Sequence, residues 1–216
     1  MPFSILLLGV FQLFLNFDIG FKTYLQFGFR KQTINLISLF LLLLFFIKPF
    51  SIQSTIYIQV SFFVLLFFAI YFFVTQEKRE RILFLSTFVS FFGAVFLLNL
   101  FLPFLLQELY DNTFFIVAAI LSLFLFLVNK NLKISFSTIF LSFPLVSLIT
   151  FLMEKSTNSF ATLLFGTGNL FELSFFIFSI VYLLTGLQTV KIPQIFHKKR
   201  NPAKNKLKIG EHKNET

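Results

Sequence analysis

Cysteine is absent from the chain, which removes disulfides, thiolate nucleophiles, iron–sulfur clusters and cysteine-ligated zinc from consideration. Tryptophan is absent too, and ionisable groups able to do acid–base work are few: 9 acids and 2 histidines among 216 residues. Both histidines, His197 and His212, lie near the C-terminus, away from any apolar segment, and no His-Glu-x-x-His occurs, so a zinc site inside an apolar bundle is excluded.

What is present is apolar bulk. Hydrophobic residues make up 57% of the chain, Phe alone supplies 39 residues and charged residues only 12%, with a mean hydropathy of +0.88. A soluble domain of this size cannot enclose so much apolar surface in one core. The chain reads as an integral membrane protein whose first solvent partner is the lipid bilayer, and the same composition argues against disorder and against a nucleic-acid-binding domain. Phe, Ile, Lys and Asn outweigh Ala, Gly and Arg, as in an AT-rich coding sequence, which points to the plasma (inner) membrane of a bacterium. The opening MPFSILLLGVFQLFLNFD has no basic segment before its apolar run and no small-residue cleavage site after it, so it reads as a retained span.

Seven apolar runs approach the roughly 20 residues that a helix needs to cross an apolar core of about 30 Å. They cover residues 3–17, 34–50, 56–75, 82–106, 114–128, 134–152 and 170–190. Helix is the form expected, because backbone groups in lipid must find their partners within the segment, and Leu39 to Phe46 shows no alternation of the kind a barrel strand requires. The expected fold is an all-α polytopic bundle over residues 1–190, followed by a flexible basic tail over 191–216. Lysine and arginine sort by side. Lys22, Arg30, Lys31, Lys78, Arg79, Arg81, Lys130, Lys133 and the basic residues from Lys191 onward share one side, and only Lys48 and Lys155 fall on the other. The positive-inside rule then puts the N-terminus outside and the C-terminus in the cytoplasm. Between the sixth and seventh runs, Phe160 to Phe165 is too short to span; a turn of helix at the outer interface is expected there, ended by Gly166 and Gly168 in positive φ.

Little inside the runs can carry chemistry. Glu172, in the first turn of the last run, is the only acid drawn within one, and a helix N-terminus favours an acid there. Gly166-Thr167-Gly168-Asn169 has only a superficial likeness to the Gly-x-Gly-Asp of aspartyl intramembrane proteases, since Asn replaces the acid and no second Asp lies in another run. No catalytic residue, cofactor or metal ligand is expected. Asn99, Pro144 and Glu172 are the candidates for a polar path: Asn99 is the deepest neutral polar residue, near Pro103, and Pro144 should kink its helix. Outside, Glu108, Asp111, Glu154 and Glu172 face Lys155, a set that acids tolerated on a translocated side would also produce.

Packing gives a clearer signal. Ser86, Ser90 and Ala94 recur every four residues with Gly93 beside them, a small-residue stripe along which another helix can approach; Thr138 and Ser142 form a shorter version. Tyr24, Tyr57 and Tyr110 are the expected interfacial anchors. In the tail, Lys198, Lys199, Arg200, Lys204, Lys206 and Lys208 contribute to a net +6 of the chain's +9, suited to an anionic leaflet but lacking any element that reads nucleic acid.

A short first span, a basic loop ending at Arg30-Lys31, the Leu109-Tyr110-Asp111 turn and Gly168-Asn169-Leu170-Phe171-Glu172 at the start of the last span together resemble the YphA-type membrane proteins of Bacillus-like bacteria. That resemblance implies a small multi-pass protein and brings no catalytic residues. The function expected is a non-enzymatic accessory or scaffold component that binds another membrane protein; the alternative is a small transporter or permease component for an uncharged or hydrophobic solute.

Overall fold

A computed structural model describes residues 2–16, 26–101, 113–157, 161–166 and 168–189. The basic tail with Lys198, Lys199, Arg200, Lys204, Lys206 and Lys208, and also Tyr24, Pro103, Glu108, Tyr110 and Asp111, lie outside the described residues. The described helices are α1 (Pro2–Asn16), α2 (Lys31–Phe45), α3 (Val60–Val74), α4 (Lys78–Phe101), α5 (Thr113–Val128), α6 (Leu132–Thr157) and α7 (Asn169–Thr189). One falls on each apolar run of the sequence. Three of them, in α4, α6 and α7, are long and apolar enough to cross a membrane. The other four have 15 or 16 residues, short of the roughly 20 that a typical bilayer core requires.

The shortening has a cause at one end of the bundle. The second run was expected to stay helical to residue 50 and the third to begin at 56. Instead α2 stops at Phe45, and the chain enters β1 (Phe50–Gln53) and β2 (Ile56–Ile58) before α3 starts. Pro49 disfavours helix at Lys48, and Ser54 and Thr55 make the turn. The expected helical turn at 160–165 is also replaced: Leu163–Phe165 is a strand, β3. The fold is therefore helical with one addition, a three-stranded sheet in the order β1-β2-β3. β1 and β2 pair antiparallel with a bulge between Ser51 and Gln53. β2 and β3 pair parallel, Ile56 beside Leu163 and Ile58 beside Phe165. β-branched and aromatic side chains fit this pleated surface. The expectation for the glycines holds, with Gly166 at φ +76° and Gly168 at φ +81°.

Gln59 fastens the sheet to the helices. It is fully buried, its N–H donates to Phe165 O at 2.9 Å, and its Nε2 donates to Ile47 O at 2.7 Å and Leu44 O at 3.1 Å. Leu44 is in the last turn of α2 and Ile47 just past its end, where intrahelical donors run out. Beside it, Phe62 stacks on Phe165 with centroids 5.2 Å apart.

α6 is the central helix. It packs against α3, α4 and α7, and Ser135, Ser137, Thr138 and Ser142 on it are all fully buried. Small residues let backbones approach: Ser137 Oγ donates to Ala69 O of α3 at 2.8 Å. Pro144 lies inside α6 without ending it. α4 is peripheral, with 22% of its apolar window buried against 50% for α6 and 56% for α7.

A methyl group added at Gly166 would stand 2.7 Å from Phe62 Cβ and 2.8 Å from Gln59 Cβ. The Gly166→Ala variant should therefore lose at least about 2 kcal/mol through clash and positive φ combined. Gly93→Ala, whose added Cβ meets nothing within 4 Å, should not lose stability; thermal unfolding in detergent compares the two directly.

Candidate functional site: a phenylalanine-lined cavity beside a basic cleft

The end of the bundle opposite the sheet is polar and cationic. Residues 26–30, the turn between α3 and α4 and the turn between α5 and α6 meet there, bringing Arg30, Lys78, Arg79, Arg81, Lys130 and Lys133 to one end. Their backbones are held by local side-chain bonds. Arg81 closes the end of α3, donating from Nη2 to Val74 O at 2.6 Å and from Nε to Gln76 O at 3.0 Å. Asn131 caps α6: its Oδ1 accepts from the N–H of Lys133 at 3.0 Å, while its Nδ2 donates to Glu80 Oε1 at 3.1 Å. Gln26 Oε1 accepts from the N–H of Leu132 at 3.2 Å. Together Gln26, Glu80, Lys130, Asn131 and Lys133 line an open cleft of about 490 Å³.

Immediately inside this end lies a second space, a half-open cavity of about 90 Å³ between α1, α2, α3, α6 and α7. Phenylalanine makes most of its wall, with Phe27 and Phe29 entering from the segment before α2. The rings lock edge to face: Phe72 on Phe136 at 5.4 Å and 88°, and Phe136 on Phe178 at 5.3 Å and 86°. Such pairs stiffen a wall beyond what burial alone supplies, so the space is held open by geometry. Among the described residues its polar lining is Ser38 and Ser179. Ser179 Oγ donates back to Phe175 O at 2.8 Å, and Ser38 Oγ donates to Gln12 Oε1. Gln12 in turn donates to Asn35 Oδ1, which joins α1 to α2. Among the described residues no ionisable side chain lines the cavity, so what these residues can do is hold an apolar group.

The residues singled out from sequence sit elsewhere, and they scatter. Ser86 and Ser90 are exposed, Ala94 is half-buried and Gly93 faces open space. The buried side of α4 is Thr87, Phe91 and Val95, with Phe91 against Phe143 of α6 at 6.1 Å. The internal packing stripe is instead the one on α6, where both Thr138 and Ser142 are fully buried. Asn99 Nδ2 donates to Thr150 Oγ1 at 2.8 Å, tying α4 to α6, and Asn99 borders an apolar gap of about 20 Å³. Neither Pro144 nor Glu172 lines that gap. Glu172 is half-buried in the first turn of α7, its N–H donating to Gly168 O at 3.1 Å. Of the three, Asn99 alone borders that gap. Sequence reading missed the cavity because 39 phenylalanines bury any pattern that a few of them make; the Asn-Leu-Lys after Lys130 was the one legible sign of the cleft.

The Asn99–Thr150 bond should contribute about 0.5–2 kcal/mol. Asn99→Leu and Thr150→Val should each lower thermal stability, and the double variant should lose no more than the worse single one; additive losses would show that the two side chains are not coupled.

No family model matches the chain, and no curated protein or solved structure gives a significant match.

Proposed function

We propose that the chain is a multi-pass protein of the bacterial plasma membrane, a non-enzymatic accessory or scaffold component that holds a helix of another membrane protein against the outer side of α4. The observation that carries this is the unused small face of α4, where Ser86, Ser90 and Gly93 lie opposite the buried Thr87, Phe91 and Val95. Serine and glycine at mid-helix make a shallow groove for a neighbouring backbone; for contact with lipid alone, bulkier apolar residues serve better. The likeness to YphA-type proteins agrees with a small multi-pass membrane protein.

In the same reading all seven helices enter the membrane, with the N-terminus outside and the C-terminus in the cytoplasm. Support comes from the ends of the bundle, one cationic and the other carrying the sheet with Lys48 and Lys155 nearby, as the positive-inside rule requires. The short helices fit through local thinning and snorkelling of flanking side chains. A second reading, a permease component for an uncharged or hydrophobic solute, draws on the phenylalanine-lined cavity.

A photoreactive residue at Val89, exposed beside Ser86 and Gly93 on the outer side of α4, should crosslink a discrete membrane protein in living cells, and Ser86→Leu with Ser90→Leu in the same chain should abolish the adduct at unchanged protein level. An adduct that survives both leucines, or lipid as the only product, sinks the accessory reading. Because the chain has no cysteine, orientation can be read from single replacements. Ser54→Cys should react with an impermeant maleimide on intact cells, and Lys78→Cys only after lysis; the reverse pattern inverts the topology.

A further inference from the structure

The cavity and the cleft are neighbours, and the chain passes from one to the other twice. Gln26 lines the cleft and Phe27 the cavity; Lys133 lines the cleft and Phe136, one turn further along α6, the cavity. Residues three apart on a helix lie side by side. Gly28 marks the seam: a Cβ built on it would stand 3.5 Å from Lys133 Nζ, so the ammonium sits over the same segment whose flanking phenylalanines close the cavity.

We propose that the two spaces form one binding site for a hydrocarbon chain bearing a phosphate, with the chain among the phenylalanines and the phosphate in the cleft. The cavity, at about 90 Å³, has room for several waters at roughly 10–15 Å³ each, yet an apolar wall of this kind stays dry unless a nonpolar group fills it. The cleft offers the opposite chemistry. Lys130 and Lys133 bring two cations, and the N-terminal end of α6 adds its positive pole. Asn129, directly before Lys130 and behind the cleft wall, keeps a buried Nδ2 that has no partner among the described residues. Among the described residues Glu80 is the single carboxylate on the cleft wall, and its Oε1 is engaged by Asn131. Neither half suffices alone: two lysines at an open cleft hold free phosphate weakly, because water competes for both, and the cavity gives no advantage to a chain already dissolved in lipid. Joined, they select an amphiphile whose polar and apolar parts meet at the position of Gly28.

The full chain, purified in a neutral maltoside detergent, is incubated with dodecyl phosphate carrying a diazirine at the far end of its chain, then irradiated and digested. Adducts should concentrate on peptides holding Phe136 and Phe140 or Phe175 and Phe178. Lys130→Gln with Lys133→Gln should cut that labelling on the order of thirtyfold, from about 1 kcal/mol per cation, and should leave labelling by the corresponding dodecanol probe unchanged. Ser179→Phe, which fills the cavity, should remove the cavity adducts, and the lysine pair keeps the test decisive if that variant fails to fold. Competition separates the sources of the phosphate. Displacement by anionic phospholipid assigns the site to a leaflet lipid, and resistance to it assigns the site to a single-chain phosphate. Complete displacement by inorganic phosphate, equal labelling of the outer face of α4, or indifference to the lysine pair overturns the proposal.

Discussion

A helix that ends early leaves its last carbonyl groups without intrahelical donors, and in this chain one carboxamide answers for several of them. Gln59 is wholly buried, and its Nε2 reaches the carbonyls that close α2. Its own N–H takes Phe165 O, so the same residue holds β3 to the start of α3. Since β3 lies between α6 and α7, the helices on either side of the sheet are fixed through this residue. The sheet follows from the same requirement: three short strands satisfy one another where the helical ladder has ended. Gly166 is then obligatory, because only a residue without Cβ lets β3 come down onto Gln59 and Phe62.

Helix positions were legible in the sequence because apolar run length is a strong signal, and each of the seven runs holds a helix. The end of the second and the start of the third were not. Ile52, Ile56 and Ile58 are apolar whether they sit in a helix or a strand, and over so few residues periodicity does not separate the two. Pro49, Ser54 and Thr55 were the available warning. Phe160 to Phe165 failed for the same reason, although its closing glycines were correctly expected at positive φ.

The stripes of small residues carry a subtler lesson. A pattern such as Ser86, Ser90 and Ala94 states that a helix can be approached closely, without stating by what. α6 spends its version internally, with Ser135, Ser137, Thr138 and Ser142 fully buried among its neighbours. α4 turns its version outward and packs through Thr87, Phe91 and Val95. Sequence alone could not rank the two, because spacing encodes shape and not neighbours. The buried hydroxyls on α6 also explain how one helix can touch three others without bulky side chains holding them apart.

Phenylalanine, which makes the sequence nearly featureless, gives the structure its two distinct surfaces. Along α4 the rings of Phe84, Phe88, Phe92 and Phe96 stack in succession at 5.6 to 6.0 Å, each one turn above the last, and stiffen a peripheral helix that packs chiefly against α6. Near the cationic end the rings meet edge to face across different helices and enclose space instead of filling it. The difference lies in geometry: rings four residues apart on one helix stack, whereas rings converging from α3, α6 and α7 cannot all lie parallel. A flexible aliphatic set would fold into that space and close it. Rigid rings leave a cavity whose mouth adjoins Lys133, and that proximity of dry aromatic wall to ammonium distinguishes this end of the bundle from an ordinary solvated helix terminus.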